Sequence, residues 1–273
     1  MCMSLHAIGF ACELTPVTSQ FVAQAVRRAS IMVPCAQGNY HIWKSHRGAE
    51  IWFHYPTPDA RQRKADAKAD ASPSFDPIDD LKGITVSHRG LSSIVMRLAH
   101  STPNSSRNPL EGVCVGTLEA RRGKGRPTLF SFEHIGHALD PFIKPITARV
   151  QVIGLAHKIW AYPTEDQLMR AMPDKRLIGR GALMAVTPGE VREVNLVYRS
   201  KPNTLWLCTG LVKRSMRLVN PETQQPYVWL LLDTERGDID LLASPDVIEG
   251  DISTGHMLQA VVSMAGRVLE RLS

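Results

Sequence analysis

The sequence predicts an α+β protein that begins with a β-α-β-β unit, continues through a mixed region and ends in an antiparallel β-barrel. Near the N-terminus an apolar run precedes an amphipathic helical pattern and a hairpin of aromatic and β-branched residues. In the last third, short apolar runs alternate with tight polar turns. The predicted limits are 1–55 for the first unit, 56–80 for a flexible excursion, 81–200 for the mixed region and 201–273 for the barrel.

The first unit follows from local signals. The apolar run LHAIGFACEL, residues 5–14, predicts a strand. Thr15 is a candidate N-cap and Pro16 suits the first helical position, so a helix follows. The segment NYHIWKSHRGAEIWFHY then predicts a hairpin that turns at HRG. Residues 56–80 contain much Pro, Asp, Ala and Lys and almost no large apolar residues, which is typical of a flexible excursion.

The β-α-β-β plan can be drawn twice along the chain. AIGFACELTPVTSQFVAQA begins at Ala7 and VIGLAHKIWAYPTEDQLMRA begins at Val152, and both place Ile-Gly before a bulky residue and Ala, and Pro before Gln and Ala. If the chain is duplicated, Gly9 and Gly154 are equivalent strand glycines. Alternatively, the matches reflect only a strand followed by a helix that begins at Pro.

Composition limits the class of protein. The chain has 273 residues, of which 44% are apolar and 21% charged, as in ordinary globular proteins. It contains neither a signal-peptide pattern nor a membrane-length apolar run, so we expect a soluble cytoplasmic protein. The five cysteines are widely spaced and form no CxxC pair, which predicts free thiols, mostly in the core.

A basic segment is the first candidate binding site. The net charge of +6 and pI of about 9.2 favour anionic partners. The run RRGKGR has four cations and two glycines, which suit a loop that binds phosphate; the cations are Arg121, Arg122, Lys124 and Arg126. The alternative is a solvated hairpin tip.

The last third resembles a known fold. The predicted strands LWLCTGLVKRSMRLV, YVWLLLDT and DIDLLAS are joined by the turns NPETQQP and ERG, and a connection precedes HMLQAVVSMAGRVLERL. A long bent first strand, tight turns and an inserted connection before the last strand resemble the oligonucleotide/oligosaccharide-binding (OB) fold. The resemblance covers about a quarter of the chain and is one of pattern only.

In OB folds that bind single strands, aromatic side chains stack on bases and basic side chains contact phosphates. The resemblance implies that stacking residues are Trp206, Tyr227 and Trp229, and that further anion-binding residues are Lys213, Arg214 and Arg217. Tyr227 and Trp229 lie two apart and share one face of a strand, so they are core residues if that face points inward. The four acidic residues within 233–240 also disfavour a groove for phosphates.

Enzyme chemistry has weak support in the sequence. HExxH, GxSxG, GxxxxGK[ST] and GxGxxG signatures are absent. Glu133, His134 and His137 form the tightest ligand-like cluster, but its strand-to-loop context favours hydrogen-bonded or exposed histidines.

Paired β-α-β-β modules resemble the vicinal-oxygen-chelate group, in which His and Glu side chains on strands bind a divalent metal between two modules. The resemblance implies the metal ligands His6, Glu50 and His157. The chain departs from that group in its uneven repeats and its C-terminal barrel.

The sequence therefore favours a non-enzymatic binding protein without a cofactor. Its ligand is single-stranded nucleic acid or another anion, or its partner is a protein, including a second copy of the chain. The alternative is a metal-dependent enzyme that uses a divalent ion.

Overall fold

The computed structural model describes residues 5–10, 16–27, 31–57, 76–104, 108–119, 127–171, 182–185 and 205–272. Over these residues the chain is mostly β, with few helices and two sheets, in broad agreement with the predicted α+β class. The described elements are α1 (Pro16–Arg27), β1 (Ile31–Cys35), β2 (Gly38–Lys44), β3 (Ala49–Pro56), β4 (Gly83–His88), β5 (Ile94–Pro103), β6 (Gly112–Leu118), β7 (Thr128–His134), β8 (Ile146–Tyr162), α2 (Glu165–Ala171), β9 (Leu183–Ala185), β10 (Leu205–Val219), β11 (Pro226–Thr234), β12 (Gly237–Ala243), a 3-10 turn (Pro245–Val247), β13 (Ile248–Glu249) and β14 (Met257–Arg271).

The first sheet is antiparallel, in the order β1-β2-β3-β4. The predicted helix and hairpin are confirmed as α1 and as β2 with β3. Most of the predicted excursion lies outside the described residues.

The strand predicted at the N-terminus is wrong over the part that is described. Residues 5–9 form a helical turn, in which the amide of Gly9 donates to the carbonyl of His6 at 3.0 Å. Asn220 and Thr223 hold this turn by donating side-chain hydrogen bonds to the carbonyls of Ile8 and Gly9, at 2.7 and 2.6 Å. The apolar side chains that suggest a strand are buried because the turn packs against the core.

The second sheet closes into two rings that share β8 and β14. These strands have 17 and 15 residues and pair antiparallel along most of their length. In one ring, β5-β6-β7 pairs with β8 through β5 and, in parallel, with β14 through β7. In the other, β10-β11-β12 pairs with β14 through β10 and, in parallel, with β8 through β12.

The two rings have the same connectivity. Strands β5-β6-β7 of one ring correspond to β10-β11-β12 of the other, and β8 corresponds to β14, so the sheet is internally repeated. Gly154 on β8 and Gly266 on β14 occupy equivalent positions. A Cβ on Gly154 would lie 2.5 Å from a terminal methyl of Leu241, and one on Gly266 would lie 2.9 Å from the Gln151 carbonyl, so neighbouring groups approach both positions closely. The glycine equivalent to Gly154 is therefore Gly266, whereas Gly9 lies in the helical turn with a φ of 81°.

The strands predicted in the last third are confirmed, and the final apolar run is one continuous strand. They do not close a ring by themselves, because β8 completes the circuit from outside residues 201–273. That circuit also contains the parallel pair of β12 with β8, so it is not wholly antiparallel. The observed ring differs from the predicted C-terminal antiparallel barrel because the long strand β14 belongs to both rings.

Two large apolar cores occur among the described residues. One lies between the sheets and includes Phe53 of β3 and Tyr227 of β11. The other involves both rings and includes Phe132 and Leu230. Cys114 and Cys208 are buried in the second core as free thiols. Within the described residues, no helix is long and apolar enough to cross a membrane.

Candidate anion-binding site

A pocket of about 660 Å³ opens between the β2–β3 turn, the residue after β4, and β10. Its wall combines four basic side chains with two apolar ones. The described lining residues are Lys44, Ser45, His46, Arg47, Gly48, Arg89, Met216 and Leu218. None of them is acidic, so the described wall favours an anion.

The turn that carries the first cations is fixed by hydrogen bonds. The Ser45 amide donates to the Ala49 carbonyl at 2.8 Å, and Ser45 Oγ accepts the Arg47 amide at 3.0 Å. Gly48 has a φ of 97°, which favours glycine, and a Cβ there would lie 2.9 Å from His88 Nε2. The Arg89 amide donates to the Gly48 carbonyl at 2.8 Å, so Arg47 and Arg89 are held on neighbouring backbone.

Glu50 lies beside these cations. Its side chain is 1% exposed and forms ion pairs with Lys44 at 3.6 Å, Arg89 at 3.1 Å and Arg267 at 3.2 Å. One carboxylate among three cations leaves an excess of positive charge. The Arg89 side chain is 60% exposed, so its guanidinium is within reach of a ligand.

Buried polar residues connect the pocket to the second sheet. His88 Nε2 donates to the Arg47 carbonyl at 3.2 Å, and its ring stacks on Trp229. Burial lowers the pKa of His88, against the opposing effect of Asp240. Burial likewise raises the pKa of Tyr227, against the effects of Ser45 and Arg47. His88 and Tyr227 therefore belong to a buried layer behind the charged wall.

The three predicted stacking residues are core residues. Trp206, Tyr227 and Trp229 are 2%, 0% and 4% exposed. Trp206 Nε1 donates to the Ser131 carbonyl at 3.1 Å, and Trp229 Nε1 donates to Asp240 at 3.0 Å. Their burial does not support the predicted role in stacking, which stays a prediction, and it agrees with the alternative that Tyr227 and Trp229 lie on an inward face.

The predicted cations of β10 differ in position. Lys213 binds Asp238 at 2.8 Å. Arg214 and Arg217 are both exposed. Arg214 alternates with Met216 and so lies on the pocket side of β10, whereas Arg217 lies on the opposite side. The basic loop at 121–126 lies outside the described residues.

The three predicted metal ligands have separate partners. His6 binds Asp246 at 2.9 Å, His157 Nε2 is hydrogen-bonded to Ser263 Oγ at 2.7 Å, and Glu50 pairs with cations. No group of three or more His, Cys, Asp or Glu residues suited to a metal ion occurs in the part of the chain that the structure describes. Because each of the three residues has a partner of its own, the metal site at these positions stays a prediction that the described contacts do not support.

The histidines of the FEHIGH segment are hydrogen-bonded rather than metal-like. His134 Nδ1 and His137 Nδ1 lie 2.7 and 2.6 Å from Ser101 Oγ, and all three residues are buried. Burial, with a smaller effect from His137, lowers the pKa of His134 to about 4.

A repeated tetrapeptide is the sequence signal for the pocket. SHRG occurs at residues 45–48 and again at 87–90. The structure joins the two copies, because His88 and Arg89 donate to the carbonyls of Arg47 and Gly48. Each copy thus supplies one pocket arginine.

Comparisons of the chain with family models, curated proteins and solved structures gave no significant match.

Proposed function

We propose that the protein is a non-enzymatic binding protein whose pocket takes a small phosphate-bearing organic anion. The observation that carries this proposal is the joining of Lys44, Arg47 and Arg89 on one wall, where a backbone hydrogen bond links the two SHRG segments. Arginine and lysine both bind phosphate oxygens through charge-assisted hydrogen bonds.

The shape and lining favour a small molecule over a polymer. Pockets for small ligands typically measure about 300–1,000 Å³, and this one measures about 660 Å³. Met216 and Leu218 give the wall an apolar part, which matches an organic ligand better than inorganic phosphate. A single-stranded nucleic acid has less support because the predicted stacking residues are buried.

Calorimetric titration with inorganic phosphate and with hexyl phosphate tests the proposal. We expect both to bind, and hexyl phosphate to bind more tightly because its chain contacts Met216 and Leu218. Arg47→Ala should weaken both by about tenfold, which is about 1.4 kcal/mol.

Arg149→Ala is the matched control, because Arg149 pairs with Glu270 and does not line the pocket. It should leave both affinities unchanged. Higher salt should weaken binding to the unaltered protein, since the pocket is open and its charges are screened. Failure of both phosphates to bind, or an equal loss in the two variants, would refute the proposal.

A further inference from the structure

We infer that the ligand carries two anionic groups and that Arg214 binds the second; this inference rests on the proposed function. Side chains alternate along a strand, so Arg214, Met216 and Leu218 share one face of β10. Met216 and Leu218 line the pocket. Arg214 therefore continues the pocket wall along the same strand.

Pairing with β11 confirms which face this is. Arg214 lies opposite Leu231 and Met216 opposite Trp229, and both partners belong to the core between the two sheets. Arg217 lies opposite Val228, which belongs to the core of the rings. Directly opposed residues point to the same side of a sheet, so only Arg214 of the two arginines faces the pocket side.

The segment that carries Arg89 crosses the same face. The Leu91 amide donates to Asp240 at 3.0 Å, and Asp240 lies opposite Leu231, the residue that pairs with Arg214. Two strand spacings, about 10 Å, therefore separate Arg214 from Asp240 in the sheet. Arg89 and Arg214 therefore reach the same face of the sheet, Arg89 from the end of β4 and Arg214 from β10.

Met216 is the pocket residue nearest in sequence to Arg214 on that face, about 7 Å away along the strand. Met216 is 48% exposed, so it presents apolar surface at the pocket wall. A ligand that binds Arg89 at one end and Arg214 at the other would cover this apolar surface. The ligand class is therefore an organic molecule in which an apolar portion separates two phosphate groups.

Hexanediol bisphosphate and hexyl phosphate, titrated calorimetrically into the full chain, isolate the second charge because they share one alkyl chain. We expect the bisphosphate to bind at least about tenfold more tightly, which is about 1.4 kcal/mol. Arg214→Ala should remove this advantage while leaving the affinity for hexyl phosphate unchanged. Arg217→Ala should preserve the advantage, because that side chain is on the opposite face.

Equal affinities of the two probes for the unaltered protein would overturn the inference while leaving the single-phosphate pocket in place. An equal loss in Arg214→Ala and Arg217→Ala would also overturn it, by showing a general effect of charge. If neither probe nor inorganic phosphate binds, the proposed function fails together with the inference. Thermal unfolding of both variants checks that the exposed substitutions leave the fold intact.

Discussion

The indole N–H of Trp229 donates a hydrogen bond of 3.0 Å to the carboxylate of Asp240 on the neighbouring strand. The same carboxylate accepts the amides of Leu91 and Ser92, each at 3.0 Å, and Nε2 of Gln151 at 3.1 Å. Asp240 is fully buried. Trp229 and Asp240 thus fix the segment that follows Arg89, and Trp229 acts as part of the scaffold behind the pocket.

Asp240→Asn should destabilise the fold by about 3–5 kcal/mol. The NH2 group of asparagine would face buried N–H groups that now donate to the carboxylate, and these donors would lose their acceptor. Urea unfolding at neutral pH measures the change. Asp238→Asn is the matched control on the same strand, and it should cost about 1 kcal/mol or less because that partly exposed carboxylate pairs with Lys213. Equal losses in the two variants would contradict the assigned role of Asp240.

Glu50→Gln should lower the free energy of unfolding by about 1–3 kcal/mol, because it leaves the partly exposed Lys44, Arg89 and Arg267 without their buried counter-charge. Phosphate should then stabilise the variant more than the unaltered protein, since a bound anion replaces part of the missing charge. Thermal unfolding with and without phosphate measures both effects.

Glu270→Gln is the control for Glu50→Gln, because Glu270 is exposed and pairs with Arg149. It should change stability and the effect of phosphate little. A larger loss in this variant than in Glu50→Gln would contradict the role given to the buried carboxylate.

The sequence predicts those elements whose signals are local. Pro16 and the helical spacing after it locate α1, and the aromatic alternation around HRG locates the hairpin. The run from Leu5 fails as a strand because its burial comes from contacts with the β10–β11 connection, more than 200 residues away, at Asn220 and Thr223. Apolar content alone does not distinguish a buried turn from a strand.

The rings and the pocket depend on pairings between distant segments. Gly154 and Gly266 are equivalent only because β8 pairs with β14, and no local pattern specifies that register. The pocket similarly combines Arg47 of the β2–β3 turn, Arg89 just after β4 and Met216 of β10. Its two arginines appear in the sequence within two SHRG tetrapeptides, but only the pairing of β3 with β4 brings them together.

Stability should fall as the pH drops from about 6.5, the ordinary pKa of histidine, because burial lowers the pKa of both His134 and His157 to about 4. Between these two pH values the unfolded chain binds protons that the folded chain excludes, so stability present above pH 6.5 is progressively lost.

His157 contributes at most about 3 kcal/mol to this loss. Urea unfolding at pH 7, 5.5 and 4 should therefore show a shallower decline in His157→Gln than in the unaltered protein, whereas His46→Gln, which changes an exposed side chain, should leave the decline unaltered. Parallel declines in all three proteins would show that His157 takes up its proton as easily in the folded chain as in the unfolded one.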